Sequence, residues 1–433
     1  MTVETIPNVR PRRLSKDEIE ANFADLHPPL SRSEALIEAD RCYFCYDAPC
    51  TTACPTGIDI PGFIQKIRSD NIRGSAQTIF RENIMGGMCA RVCPTEVLCE
   101  EACVRNTHEE KPVEIGLLQR YATDPVIDAG TQLFARAPSS GKKVAVVGGG
   151  PAGLSCAHRL AVLGHDVVIF NRDEKPGGLN EYGIAAYKTV DDFAQIEINY
   201  ILSVGGIEVK HRVTLGEDVQ LSELVSDFDA VFLGIGLGQS NDLGIDGEDK
   251  EGVINAIDYI AELRQADDKS KLPIGKTVVV IGGGMTAIDI AVQSRHLGAQ
   301  QVHMVYRRGP EKMSASVFEQ ALAQTSGVTI HHRAPPKRIL GDGHVTGVEF
   351  ETDDGKFVLF ADMVFKAIGQ QMKGIGDLEM DNGRMVVNDG HRTSHEKVWA
   401  GGDCVVGGDD LTVSAVQHGK LAAIDIDRHL REQ

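Results

Sequence analysis

Short, unbroken apolar runs ending in glycine turns pattern the chain from residue 143 onward. Lys143-Val144-Ala145-Val146-Val147 reads as a buried strand, because four consecutive apolar residues leave no polar face. It runs into Gly148-Gly149-Gly150-Pro151-Ala152-Gly153 and then LSCAHRLAVLGH, a helical stretch, with a second strand expected at 166–170. The same order returns at 277–281, with Gly282-Gly283-Gly284-Met285-Thr286-Ala287, a helix, and a strand at 301–306. One such strand–turn–helix–strand unit is a weak signal. Two in one chain predict two nucleotide-binding modules of α/β type.

Before residue 135 the pattern is helical. Residues 14–38 read as two helices broken at Pro28-Pro29, and 61–68 and 74–80 read as two more. No alternation of apolar and polar positions suggests a strand there. Residues 135–143 (ARAPSSGKK) form a polar linker.

Charge narrows the partners. The 433 residues carry 44 Lys and Arg against 62 Asp and Glu, a net charge of −18. That balance argues against a general nucleic-acid binder and against an anionic membrane surface. No apolar run approaches the roughly 18 residues of a spanning helix. The N-terminal stretch MTVETIPNVRPRRLSKDEIE has no apolar core behind its charges, so no signal peptide is read there and a cytoplasmic protein is expected.

The first glycine turn has the chemistry of a dinucleotide cradle. Gly148 permits the tight turn, Gly150 lets the backbone approach a pyrophosphate, and Gly153 lets the helix pack on the sheet. Pro151 suits the first helical turn, and Ala152 continues it. The free N–H groups at that helix start then face the phosphates. An acid is expected after the next strand to hold ribose hydroxyls, but Asn171 stands there, able to bond a hydroxyl without charge. Near the C-terminus, Val398-Trp399-Ala400-Gly401-Gly402-Asp403 and a helix from Leu411-Thr412-Val413 resemble the C-terminal flavin signature of flavoproteins with two dinucleotide domains. Gly178, Gly402, Asp403, Thr412 and Val413 join the first turn as the expected FAD set.

In the second module Gly282, Gly284, Met285, Thr286 and Ala287 repeat the phosphate turn. Arg307 and Arg308 follow the next strand, where guanidinium groups receive a 2′-phosphate, so the site leans toward NADP(H); Glu311 leaves NAD(H) open. No C-x-x-C occurs in 140–433, which weighs against disulfide-reductase chemistry. Cys156 and Cys404 stand alone, and Cys156 reads as a small buried apolar residue.

Eight of the ten cysteines lie between Cys42 and Cys103. They form two runs, Cys42-x2-Cys45-x4-Cys50-x3-Cys54-Pro55 and Cys89-x3-Cys93-Pro94-x4-Cys99-x3-Cys103. Closely spaced thiolates followed by Pro are typical of iron–sulfur ligand runs, in which the last Cys can serve the other cluster. Eight ligands suit two [4Fe–4S] clusters; structural zinc is the rival reading.

Residues 41–54 (RCYFCYDAPCTTAC), 89–103 (CARVCPTEVLCEEAC) and 112–123 (PVEIGLLQRYAT) closely resemble the N-terminal half of dihydropyrimidine dehydrogenases. The flavin and nicotinamide modules follow in the same order, so the resemblance covers nearly the whole chain. It implies the electron-input subunit of the bacterial two-subunit enzyme, since the sequence ends where the animal enzyme continues into an FMN barrel and ferredoxin-like tail. It implies one cluster on Cys42, Cys45, Cys50 and Cys103, and a second on Cys54, Cys93, Cys99 and Gln119, with Cys89 a bystander. Spacing alone would choose Cys89 over Gln119. The small subunit of glutamate synthase is a close relative with all three modules; it typically lacks a counterpart of Cys89 and the longer Cys93-to-Cys99 spacing.

The domains implied are a helical iron–sulfur domain at 1–135, an FAD domain at 136–238 and 368–433, and an inserted NAD(P) domain at 239–367. The implied activity takes hydride from NAD(P)H onto FAD. Single electrons then pass through two clusters to a partner bearing FMN and ferredoxin-type clusters, which reduces uracil or thymine to the 5,6-dihydro form in a heterotetramer. No catalytic side chain for that reduction is expected here. Alternatives are an electron-input subunit for glutamate synthase or another reductase, and a cluster-bearing scaffold that only binds nucleotides.

Overall fold

The computed structural model describes residues 14–372 and 375–432; residues 1–13 of the N-terminal stretch read for a leader lie outside them. The chain divides into two compact units. The larger gathers 27–184, 188–239 and 370–433; the smaller gathers residues up to Leu26, 185–187 and 240–369.

The larger unit begins with helices, including Arg32–Asp40, Ile60–Arg68, Ile72–Glu82, Gly86–Val92 and Ile115–Asp128. Several start where a side chain accepts an otherwise unpaired N–H of the first turn. Ser31 accepts from the Glu34 N–H, and Glu34 accepts in return from the Ser31 N–H. Asp59 and Asn71 cap the next two. Ile60, Phe63, Ile64 and Ile67 recur every three or four residues, so they share one buried face.

A five-stranded parallel sheet follows, in the order Val398–Ala400, Ala230–Leu233, Lys143–Val147, Asp166–Asn171, Ile207–His211. Its central strand is buried at four of five positions because neighbours flank it on both edges. Val144 pairs with Val167 on one side and Ala230 on the other. The cysteine-bearing helices and this sheet share one core, in which Phe63, Phe80, Met88 and Leu118 join Val146, Ile169, Phe232 and Trp399.

A buried carboxyl sits in that core. Glu197, on the helix Phe193–Leu202, is fully buried. Its Oε1 accepts from the N–H groups of Gly87 and Met88 at 2.8 and 3.0 Å, at the start of Gly86–Val92, whose Met85 N-cap offers no acceptor. Oε2 has no hydrogen-bond partner. Burial pushes the Glu197 carboxyl up to about 8, against the pull of the two N–H groups and Arg91. Arg91 forks onto Asp124 at 2.9 and 2.8 Å and lies over the Phe193 ring.

The smaller unit holds a second five-stranded parallel sheet, ordered Val253–Asn255, Met363–Ala367, Thr277–Gly282, Gln301–Val305, Val328–His331. Three antiparallel strands, Pro336–Leu340, Gly347–Thr352 and Gly355–Phe360, accompany it. The helix Lys16–Asn22 packs in this unit. Seven residues cannot hold a helix alone. Ile19 and Phe23, one turn apart, bury in the core that contains Ile260 and Leu297, and Asn22 donates to the His296 carbonyl at 3.0 Å. Among the described residues no helix is long and apolar enough to cross a membrane.

Glu197 makes stability depend on pH with a definite sign. Its folded form keeps a proton that the unfolded chain releases near 4.5, so its contribution is fully present below that value and is lost as pH rises through about 8. Glu197→Gln, which mimics the neutral form, should therefore be the more stable protein near pH 9, by a few kcal/mol, and near-equal in stability at low pH. Chemical denaturation at both ends of the range measures the difference; equal stability near pH 9 would refute it.

Candidate functional site

The first glycine turn lies at the C-terminal end of Lys143–Val147, where an open parallel sheet leaves a crevice. Gly148 has φ +98°, and a Cβ there would stand 2.3 Å from the Gly234 carbonyl oxygen. At Gly153 a Cβ would come within 1.9 Å of the Gly148 oxygen, so the helix Pro151–Val162 seats directly on its own turn. Gly150 is different: the nearest atom to its Cβ position is the Gly178 Cα at 3.8 Å, which leaves the backbone open to a ligand.

Other expected positions converge on this turn. The Gly177 N–H donates to the Gly149 carbonyl at 2.7 Å, bringing Gly178 alongside. Asn171 accepts from the Gly149 N–H at 3.1 Å and donates to the Asp173 and Lys175 carbonyls, so its amide braces the turn. Gly402 (φ +82°) brings its Cβ position within 3.3 Å of Ala152. Thr412, the first residue of the helix Thr412–Arg431, donates to Asn180 Oδ1 at 2.7 Å, and Val413 is buried behind it. Burial, with Asp410 adding to it, pushes the Asp403 carboxyl up to about 6.

Helix starts sort into two kinds. Those at Ser15, Ser31, Asp59, Asn71 and Ser316 are capped by side chains. Those at Gly150, Gly284 and Leu411 receive no side-chain cap, and neither do those at Ala48, Glu114, Asp192 and Asn255. The first three open the expected cofactor positions, and their N–H groups suit phosphate or a flavin carbonyl.

In the smaller unit Gly282 and Gly283 would place a Cβ 2.2 Å from the Ala367 oxygen and 2.3 Å from the Tyr306 ring. Gly284 precedes Met285, Thr286 and Ala287 at the start of Met285–His296. Arg307 and Arg308 are both exposed, after Gln301–Val305. Glu311 pairs with Arg333 at 3.8 Å.

The cysteines sort into two groups. Cys42, Cys45, Cys50 and Cys103 line one cavity together with Ile60, Ile64, Val113 and Ile115. Burial first, then Cys42 and Cys103, push the Cys50 thiol up to about 11. In the second group, the Cys93 thiol is pushed well up by its hydrogen bond to Cys89, by burial and by Cys99 and Cys54. The Gln119 Nε2 donates to the Gly86 carbonyl at 2.7 Å, which turns the amide oxygen away from that contact. Among the described residues no three His, Cys, Asp or Glu side chains converge on a point suited to a single metal ion. Thiols around an apolar cavity fit a cluster, whose irons stand between the sulfurs, better than one tetrahedral zinc. All ten cysteines are free, and Cys156 and Cys404 are buried.

Three participants had no motif to announce them. His418 accepts the Gly402 N–H at 3.1 Å, Asn180 holds Thr412, and Lys420 reaches the cysteine region. The last two depend on residues hundreds of positions apart in the chain.

Residues 142–419 match the model of the pyridine nucleotide-disulphide oxidoreductases. The chain belongs to that family. Solved structures share the fold: T. acidophilum thioredoxin reductase superimposes with a TM-score of 0.55 at 22% identity, covering 66% of this chain and 99% of that one. Mycobacterium tuberculosis FprA gives 0.56 at 18% identity, covering 68% and 86%. This oxidoreductase carries a further module, since residues 19–131 match dihydropyrimidine dehydrogenase domain II, 4Fe-4S cluster. The NAD-dependent dihydropyrimidine dehydrogenase subunit PreT homolog of Salmonella typhi is 33% identical over 95% of this chain and 98% of its own. The glutamate synthase [NADPH] small chain of Escherichia coli K12 is 34% identical over 96% and 95%. The chain is thus an oxidoreductase that joins FAD and NAD(P) sites to a 4Fe–4S domain.

Gly153→Ala should cost this family member its flavin. The added methyl must displace the turn backbone, an overpacking of about 1–3 kcal/mol. The purified variant should lose most of its visible flavin absorbance, and full flavin content would contradict the assignment of the turn.

Proposed function

We propose that this chain is the NAD(P)H-oxidising subunit of a dihydropyrimidine dehydrogenase. The carrying observation is the meeting of Cys103 with Cys42, Cys45 and Cys50 around one apolar cavity, from runs more than thirty residues apart. Cys54, Cys93, Cys99 and Gln119 would hold a second cluster, and the donation of the Gln119 Nε2 to the Gly86 carbonyl leaves its oxygen as the ligating atom.

When bound, FAD would supply two-electron chemistry with NAD(P)H and one-electron chemistry with [4Fe–4S] centres. The protein's own part is positional. Gly148, Gly150, Pro151, Ala152 and Gly153 would hold the pyrophosphate of FAD, with Asn171 and Gly178 bracing the turn. Gly402 and Asp403 would meet the ribityl chain, and the uncapped N–H groups at Thr412 and Val413 would stabilise negative charge on the ring. Gly282, Gly284, Met285, Thr286 and Ala287 would bind the nicotinamide coenzyme. Arg307 and Arg308 are exposed where a 2′-phosphate would lie, which favours NADP(H). The partner, in this reading, bears FMN and ferredoxin-type clusters and reduces uracil or thymine in a cytoplasmic heterotetramer.

The glutamate synthase small chain supports a second reading, with identity and coverage close to those of the dehydrogenase subunit. Co-purification with the partner separates the two: uracil-dependent NAD(P)H oxidation supports the dehydrogenase, and glutamate formation supports the alternative.

Anaerobically purified protein should hold about eight iron per chain, two four-iron clusters. About one zinc and no iron would overturn the cluster reading. Replacing Arg307 and Arg308 with Ala should raise the KM for NADPH by tenfold or so, about 1.4 kcal/mol of binding, while leaving that for NADH nearly unchanged. An equal rise for both coenzymes would remove the 2′-phosphate role.

A further inference from the structure

A lysine on the C-terminal helix reaches into the cysteine-bearing region. Lys420 lies two turns along Thr412–Arg431 from the uncapped start of that helix, and is buried. Its Nζ donates to the Thr56 carbonyl at 2.9 Å and pairs with Glu82 at 2.8 Å. Thr56 is itself buried, and its hydroxyl lies 3.3 Å from Cys54 Sγ. The Gly57 N–H also returns to the Cys54 carbonyl at 2.9 Å. The lysine therefore holds the turn that follows Cys54.

The helix itself has little freedom at this point. At Gly419 a Cβ would stand 2.1 Å from the Ala152 oxygen, and Ser155 donates to the Val416 carbonyl at 2.7 Å. One rigid element thus presents its N–H groups at one end and an ammonium group at the cysteine turn.

We propose that Lys420 is a positioning residue for the cluster held by Cys54: it fixes that ligand's turn to the flavin-domain helix, and its charge makes this cluster easier to reduce. The inference rests on the cluster reading above. A buried positive charge near a cluster stabilises the added electron, and a hydroxyl near a ligand sulfur acts in the same sense. Glu82 offsets the charge only partly, because its carboxylate is 43% exposed and shares itself with solvent.

The test is a potentiometric EPR titration of the full-length, anaerobically loaded protein and of Lys420→Met, Lys420→Arg and Glu82→Gln. Lys420→Met should make one cluster on the order of tenfold harder to reduce, about 59 mV for a one-electron centre, and leave the other unmoved. Glu82→Gln should shift the same cluster the opposite way, and Lys420→Arg should stay near wild type. Opposite signs cannot come from loosened packing, which would disturb both variants alike. Should Lys420→Met lose its iron, retention by Lys420→Arg supports the charged tether. Unmoved potentials, or shifts of one sign in Lys420→Met and Glu82→Gln, overturn the proposal. Wild-type protein without iron sinks the cluster reading itself; wild-type iron with unmoved potentials sinks only the role of Lys420.

Discussion

The helices Pro151–Val162 and Thr412–Arg431 approach so closely that no side chain fits between Gly419 and the Ala152 carbonyl. This contact brings together two helix starts that lie some 260 residues apart in the chain. Gly402 then arrives beside Ala152, and Thr412 beside Asn180. A larger residue at the crossing would separate the two sets of free N–H groups, and no crevice for one extended cofactor would form. The helix crossing is thus the constraint on which the flavin positions depend.

Hydrogen-bonding capacity left open by the side chains is one feature of the expected cofactor positions. A helix start in water needs an acceptor, and five of the described α-helices find one in Ser, Asp or Asn. The starts at Gly150, Gly284 and Leu411 have none from side chains, which is costly unless an anion or carbonyl is bound. The cysteine groups follow a similar logic. Burial and neighbouring thiols raise Cys50, Cys93 and Cys99, so a set of thiolates is stable there only when metal takes up their charge. Metal loading and folding of this region are therefore linked.

Much of the fold was legible in the residues. The strands at 143–147 and 277–282 announce themselves by apolar runs feeding glycine turns, because a central parallel strand is buried on both faces. The break at Pro28-Pro29 and the helix at Ile60–Arg68 follow from proline geometry and three-to-four spacing. Which core the short helix Lys16–Asn22 joins depends on complementary surface elsewhere in the chain, which its own residues do not show.

The sequence by itself determined the chemical inventory: two phosphate turns, eight clustered thiols, a C-terminal Gly-Asp signature and an acidic exterior. It did so because glycine at a turn and cysteine at short spacing have local physical reasons to be there. Only the tertiary structure decided that Asn171 braces the glycine turn and that Lys420 and Glu197 lie against the cysteine helices. Those pairings span tens to hundreds of residues, and side-chain packing across a shared core, which leaves no periodic trace in the chain, is what selects them.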